Sequence, residues 1–177
     1  TDGIQYAIQL HLVSCGTNAT SIGFISGGIS LMMLVGSLLA GKLSDKVPVG
    51  PTVCLAYLFI CLCVLPMTLT DSYWIMLVAN SFVGLPFPLI NAMLLGFIFA
   101  KSPTSMQGRI TVTLTVPAQV LSMFCSAVAG TLLPVFGFHG AVLVFLAVLV
   151  ASAVLVICSR SIRSIPKAAQ WEHTMLR

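Results

Sequence analysis

The chain has 177 residues, of which 58% are hydrophobic and only 7% charged, with a formal net charge of +4. A soluble domain carries about 25% charged residues to cover its surface, so eight basic and four acidic side chains exclude a soluble body and leave most of the surface to lipid. The positive balance does not point to nucleic acid as a partner, because the Lys and Arg stand in short clusters between apolar runs and not on a basic polar face.

Residues 1–15 are apolar and compatible with a helix but too few to cross a bilayer, which takes about 20 residues for a hydrocarbon core of about 30 Å. They read as the later part of a helix, as in a fragment or a truncated gene, and show no signal-peptide pattern. Asp2 is the sole acid placed to lie within the membrane, roughly 20 Å below the outer end of its helix, and an intramembrane acid is a functional candidate. Five full spans follow. In residues 19–41, Gly23 and Gly27 form a GxxxG element, which Gly36 and Ala40, then Ser37 and Gly41, continue. Small residues four apart let membrane helices approach closely. Residues 51–69 are almost uniformly apolar and suit a lipid-facing helix.

In residues 73–100, Asn80, Gly84, Pro88 and Asn91 share one broad face, with Asn80 and Asn91 as candidate cavity contacts. Pro86 and Pro88 remove two helical hydrogen bonds and free the carbonyls of Phe82 and Gly84. Interrupted helices mark binding sites in transporters, although a proline pair serves equally as a fixed bend. In residues 110–133, Thr111, Thr115, Gln119, Ser122, Ser126 and Gly130 recur at spacings of four and three, so all six lie on one helical face. That face must meet another helix or a water-filled cavity. A hydrogen-bonded seam and a substrate-facing surface both fit, with Thr115 and Gln119 the cavity candidates and Ser122, Ser126 and Gly130 the packing ones. Pro117 predicts a kink. Residues 141–158 are again uniformly apolar. The expected organisation is an all-α, multi-pass bundle over residues 1–159, followed by a tail over 160–177.

Short connections force neighbouring spans to run antiparallel. Lys42 and Lys46, then Lys101 and Arg109, then Arg160, Arg163, Lys167 and Arg177 all fall at one end of the bundle. The alternate connections, at residues 16–18, at Asp71 and at 136–140, carry no Lys or Arg. The positive-inside rule makes the basic end cytoplasmic, which puts the C-terminal tail in the cytoplasm and the protein in a cell membrane. The six cysteines form no CxxC pair, so neither a disulfide framework nor a metal site is expected. His11 and His139 fall near the outer end with no acid or cysteine expected beside them. No HExxH, GxSxG or paired-aspartate pattern occurs, so no enzyme, metal or cofactor is expected.

After the first full span the sequence reads Gly41-Lys-Leu-Ser-Asp45-Lys46-Val-Pro48-Val49-Gly50. This resembles the cytoplasmic signature of the major facilitator superfamily, Gly-x-x-x-Asp-Arg/Lys-x-Gly-Arg/Lys-Arg/Lys. Gly41, Asp45 and Lys46 match it; Pro48, Val49 and Gly50 depart from its glycine and its two basic positions. The resemblance implies the C-terminal half of such a transporter, from a partial seventh helix to the twelfth, with the two apolar spans as its peripheral ninth and twelfth helices. It also implies a cytoplasmic gate at Gly41, Asp45 and Lys46, to which Gln107-Gly108-Arg109 adds Arg109. The partners implied are the lipid bilayer, a missing N-terminal six-helix half, a small-molecule substrate and protons. The style of the helices resembles the drug and metabolite exporters. The expected function is alternating-access export of a small neutral or lipophilic compound, coupled to an ion gradient. An uptake permease for a small metabolite and a non-transporting membrane scaffold are the alternatives.

Overall fold

A computed structural model of the chain describes residues 2–43, 47–100 and 102–159. Among them every regular element is helical: α1 Asp2–Ser14, α2 Ala19–Leu43, α3 Val49–Val64 with a short 3-10 turn Leu65–Thr68, α4 Tyr73–Gly84, α5 Pro86–Ala100, a second 3-10 turn Thr104–Met106, and α6 Gln107–Cys158. Four stretches are long and apolar enough to cross a membrane: Ala19–Leu43, Val49–Thr68, Tyr73–Ala100 and Gln107–Cys158. The gate residues Asp45 and Lys46, together with Lys101 and residues 160–177, lie outside the described residues.

The sequence placed a connection at residues 136–140, and there α6 is interrupted by one residue. Gly137 has φ 70° and ψ −179°, a backbone region open to glycine and essentially closed to residues with a Cβ. This break divides α6 into a first arm, from Gln107 to the break, and a second arm, from the break to Cys158. Side-chain contacts show that the arms fold back beside each other. Asp2 meets Ser122 of the first arm, while neighbouring Gly3 lies against the Phe145 ring of the second arm. In a straight helix Ser122 and Phe145 would be about 34 Å apart. Ala7 completes the argument further along α1, packing fully buried with Ala129 of one arm and Ala141 of the other. The small side chains of Gly3 and Ala7 let α1 settle between the arms.

Glycines also set the contact of α2 with α4 and α5, but not the ones that form the GxxxG element. A Cβ on Gly36 would collide with the Leu85 carbonyl, and one on Gly28 with the Ser81 hydroxyl. From the opposite side, a Cβ on Gly84 would stand 2.7 Å from the Ile29 carbonyl oxygen. Gly23, Gly27 and Gly41, by contrast, have open space where a Cβ would be, as does Gly130 on α6. Within this bundle, then, Gly36 is a packing residue and Gly23, Gly27 and Gly130 present a free face.

The prolines of the third span part α4 from α5 at Leu85. The Phe82 carbonyl, expected to be left free, instead accepts the Leu85 amide at 3.2 Å, a tighter 3-10 closure that compensates for the missing proline donor. Pro86 is buried. The two uniformly apolar spans each bury one stripe and expose the other. Val49, Val53, Ala56, Ile60 and Val64 of α3 enter the core while Leu55, Leu58 and Leu62 face outward; in the second arm Val142, Leu149 and Ala153 are buried and Leu143, Val148 and Leu155 exposed.

Two substitutions test these contacts. Gly36→Ala drives a methyl group into backbone and is expected to cost about 1–3 kcal/mol. Gly137→Ala forces a Cβ into the strained turn and is expected to cost a similar amount, about 1–3 kcal/mol. Thermal melting of the purified full-length protein in detergent, with Gly23→Ala as the near-neutral control, measures both.

Candidate functional site

Most hydroxyl groups in the helices answer to their own backbone. Ser30 donates to the Ser26 carbonyl, Ser37 to Leu34, Thr113 to Arg109 and Thr131 to Val128, at 2.7–2.9 Å. This local back-bonding satisfies a hydroxyl where water is absent and carries no information about neighbouring helices. The informative polar contacts are those that cross between helices, and the two hydrogen bonds that join one side chain to another both involve α1.

Asp2, Gln5 and Gln9 follow at spacings of three and four, which lines them along one face of α1. The Ser122 hydroxyl donates to Asp2 Oδ2 at 2.6 Å, at the short end of the range for an O–H···O bond. Gln9 Nε2 donates to Ser26 Oγ of α2 at 3.2 Å. Asp2, Gln5, Tyr6 and Gln9 border an open polar hollow of about 270 Å³. Asp2, Ile4 and Gln5 also line a narrower cavity of about 120 Å³, whose other walls are Ile29, Met33, Val64, Asn80, Val83 and Phe87. A cavity of this size and polarity has room for ordered water. It is too small for a drug-sized ligand, which takes about 300–1,000 Å³.

Asn80 is the unusual member of this wall. It is 2% exposed, and its side-chain Nδ2 has no hydrogen-bond partner. A buried donor left unpaired costs about 1–3 kcal/mol, and this one borders a cavity with Asp2 and Gln5 across from it.

Helix lengths fix the depth of the site. Asp2 stands twelve residues before Ser14, about 18 Å along α1. Met33 and Phe87 each stand fourteen residues after the starts of α2 and α4, about 21 Å. Ser122 stands fifteen residues before Gly137, about 22 Å. Four helices counted separately thus agree on a level about 18–22 Å from their ends at one end of the bundle.

The other candidates fall apart from this cluster. Asn91 is exposed and does not border the cavity. Thr115 and Gln119 are exposed on the first arm of α6, the Thr115 hydroxyl bonded to the Thr111 carbonyl at 2.8 Å. Ser126 bonds to the Met123 carbonyl at 2.7 Å. Of the polar face read on that helix, Ser122 is the member that reaches α1. At the basic end Gly41 and Arg109 are both exposed, and the Gln107 side chain donates to the Phe99 carbonyl at 3.3 Å. Gln5 and Gln9 were not singled out from the sequence. Their spacing with Asp2 was the available signal, and three positions in a thirteen-residue helix are few to display a period.

At the opposite end the sequence reading is corrected. His11 and His139 do have an acid beside them: their Nε2 atoms lie 3.9 and 3.5 Å from Asp71 Oδ1. Cys15 Sγ is 3.8 Å from His11 Nε2. Asp71 is remote from both histidines in sequence, so only the folded chain brings the three together.

Compared with known proteins, the chain matches one family model, described as Major Facilitator Superfamily, over residues 3–175. No curated protein matches it, and no solved structure does.

The unpaired amide gives a test that separates function from stability. Asn80→Leu replaces it with an apolar side chain of similar size, and is expected to leave the melting temperature unchanged or to raise it by the equivalent of about 1 kcal/mol. A structural role for Asn80 would instead show as a lowered melting temperature, measured on the full-length protein in detergent.

Proposed function

The chain belongs to the major facilitator superfamily, a family of transporters, and from that premise we propose that it forms half of an alternating-access transporter whose coupling site is Asp2. The second, N-terminal half would pack against the open face of this one. Candidates for that face are the free glycines Gly23 and Gly27 of α2 and, on α6, Gly130 and the exposed Thr115 and Gln119, whose polar side chains are costly to leave in lipid. The substrate would occupy the space between the halves. Asp2, Gln5 and Ser122 would form its wall on this side, with the buried Asn80 behind them.

The observation that carries the reading is the carboxylate of Asp2. Among the described residues it is the acid that lies within a helix, and Ser122 from another helix donates to it at 2.6 Å. A carboxylate at membrane depth is expensive to keep ionised away from water. A nearby hydroxyl donor and a small cavity offering water let it exchange a proton with the open polar hollow. Binding and release of that proton would bias the two states of the transporter differently. The rest of the wall is amide, hydroxyl and apolar carbon, which suits a small neutral or lipophilic cargo.

Export fits the exporter-like style of the glycine-rich α2 and the proline-interrupted α4 and α5, and under the positive-inside rule the end that carries Lys42 and Arg109 would be the cytoplasmic one. Gly41, Asp45, Lys46 and Arg109 would then form the cytoplasmic gate, with the C-terminal tail on the same side of the cell membrane. An uptake permease uses the same wall in the opposite direction. Comparing substrate accumulation in cells with and without the full-length gene separates the two, and transport by the reconstituted full-length protein excludes a mere scaffold.

Asp2→Asn in the full-length protein is expected to abolish proton-driven accumulation of substrate in proteoliposomes while leaving exchange of substrate for substrate. Accumulation by this variant at the wild-type rate would remove Asp2 from the mechanism.

A further inference from the structure

The end of the bundle without Lys or Arg holds a second ionisable cluster, remote from Asp2 and unused by the transport reading. Three elements meet there. His11 comes from the last turn of α1, His139 from the start of the second arm of α6, and Asp71 from the connection between the 3-10 turn and α4. Both histidines address a single oxygen, Asp71 Oδ1, at 3.9 Å and 3.5 Å.

Their rings are held in place. His11 stacks on Phe138 with ring centroids 4.3 Å apart and planes 21° from parallel, and His139 meets the same ring edge-on at 5.8 Å. Phe138 itself is 5% exposed, and Gly137 beside it supplies the turn that brings it here. A buried ring between two imidazoles fixes where both can point.

We propose that His11, Asp71 and His139 form an acid-fastened clasp that ties the ends of α1 and α6 to the connection before α4. Histidine changes charge between about pH 5 and 8. In the neutral state a histidine ring nitrogen either donates or accepts, and in the charged state both nitrogens donate. With both rings neutral, His11 Nε2 is free to pair with the Cys15 thiol, 3.8 Å away on the same helix, and a contact with Asp71 is at most a neutral N–H donating to the carboxylate. On the acid side an imidazolium faces the Asp71 carboxylate and the elements are tied by charge. The switch on His11 is therefore between a partner within α1 and a partner outside it.

The other titratable groups at this end are few. Cys15 faces His11. Tyr73, next to Asp71 in sequence, is occupied by its bond to the Ser21 carbonyl at 2.8 Å. Lys42 and Arg109 stand at the opposite end of α2 and α6, so no fixed cation competes for Asp71 among the described residues. Because α1 carries Asp2 at its other end, a clasp on its last turn bears on how freely the whole helix tilts between the arms of α6.

The inference stands on contacts inside the bundle and is independent of what is transported. The test is the melting temperature of the full-length protein in detergent at pH 5.5 and pH 8.0. Wild type minus Asp71→Asn is expected to be about 2 °C larger at the lower pH, the scale of a partly exposed ion pair. The double variant His11→Gln/His139→Gln is expected to lose that pH-dependent difference. His139→Lys, charged at both pH values, is expected to keep the advantage of Asp71 at pH 8.0. A wild-type-minus-Asp71→Asn difference that is equal at both pH values overturns the clasp, as does one that persists in full in the double histidine variant.

Discussion

At residue 137 a glycine with φ 70° and ψ −179° turns α6 back on itself, and α1 lies in the fold so made. Each of the two ionisable clusters takes one side chain from α1 and another from α6: Asp2 with Ser122 of the first arm, His11 with His139 of the second. Gly3 and Ala7 keep α1 close enough for both, the first against Phe145 and the second against Ala129 and Ala141. Closely packed small residues are how helices associate where lipid removes the hydrophobic drive between them. In this bundle the same packing sets the positions of the polar groups.

The distribution of hydrogen bonds follows from the solvent. A hydrocarbon core offers no partner to an exposed polar group, so serines and threonines fall back on carbonyls three or four residues earlier in their own helix. Among the described residues, the contacts that stand beyond this local accounting include Ser122 to Asp2, Gln9 to Ser26, Tyr73 to the Ser21 carbonyl and Gln107 to the Phe99 carbonyl, beside the unpaired Nδ2 of Asn80. The Tyr73 and Gln107 bonds tie helix ends. Asp2, Gln9 and Asn80 lie inside the bundle and belong to the face or the cavity at α1. A polar group kept unsatisfied beside an acid is consistent with a site that has work for it, since an apolar residue in its place avoids the desolvation cost.

The glycine faces of α2 illustrate two uses of one residue type. Gly28 and Gly36 are pressed against α4 and the Leu85 carbonyl, whereas Gly23 and Gly27 meet open space. Around the helix these pairs point in different directions, so one face has found its partner within this bundle and the other is available to a second one.

The sequence by itself determined the class of the protein. With 7% charged residues and runs long enough to span, no other environment than lipid accommodates the chain, and the family resemblance at Gly41-Lys-Leu-Ser-Asp45-Lys46 pointed to the superfamily that the family comparison shows. The spacing of the polar residues on α6 and the position of Asp2 were legible too, because helical periodicity is a local property. Tertiary structure alone decided which of those residues meet. Periodicity put six residues on one face of α6, but only packing against α1 selected Ser122. It grouped Asn80 with Asn91, yet the bundle buries one and exposes the other. The histidine–aspartate cluster had no local signature at all, its members lying on three separate elements. Such contacts depend on how far and in what direction α6 turns at Gly137, and no spacing within a single helix records that.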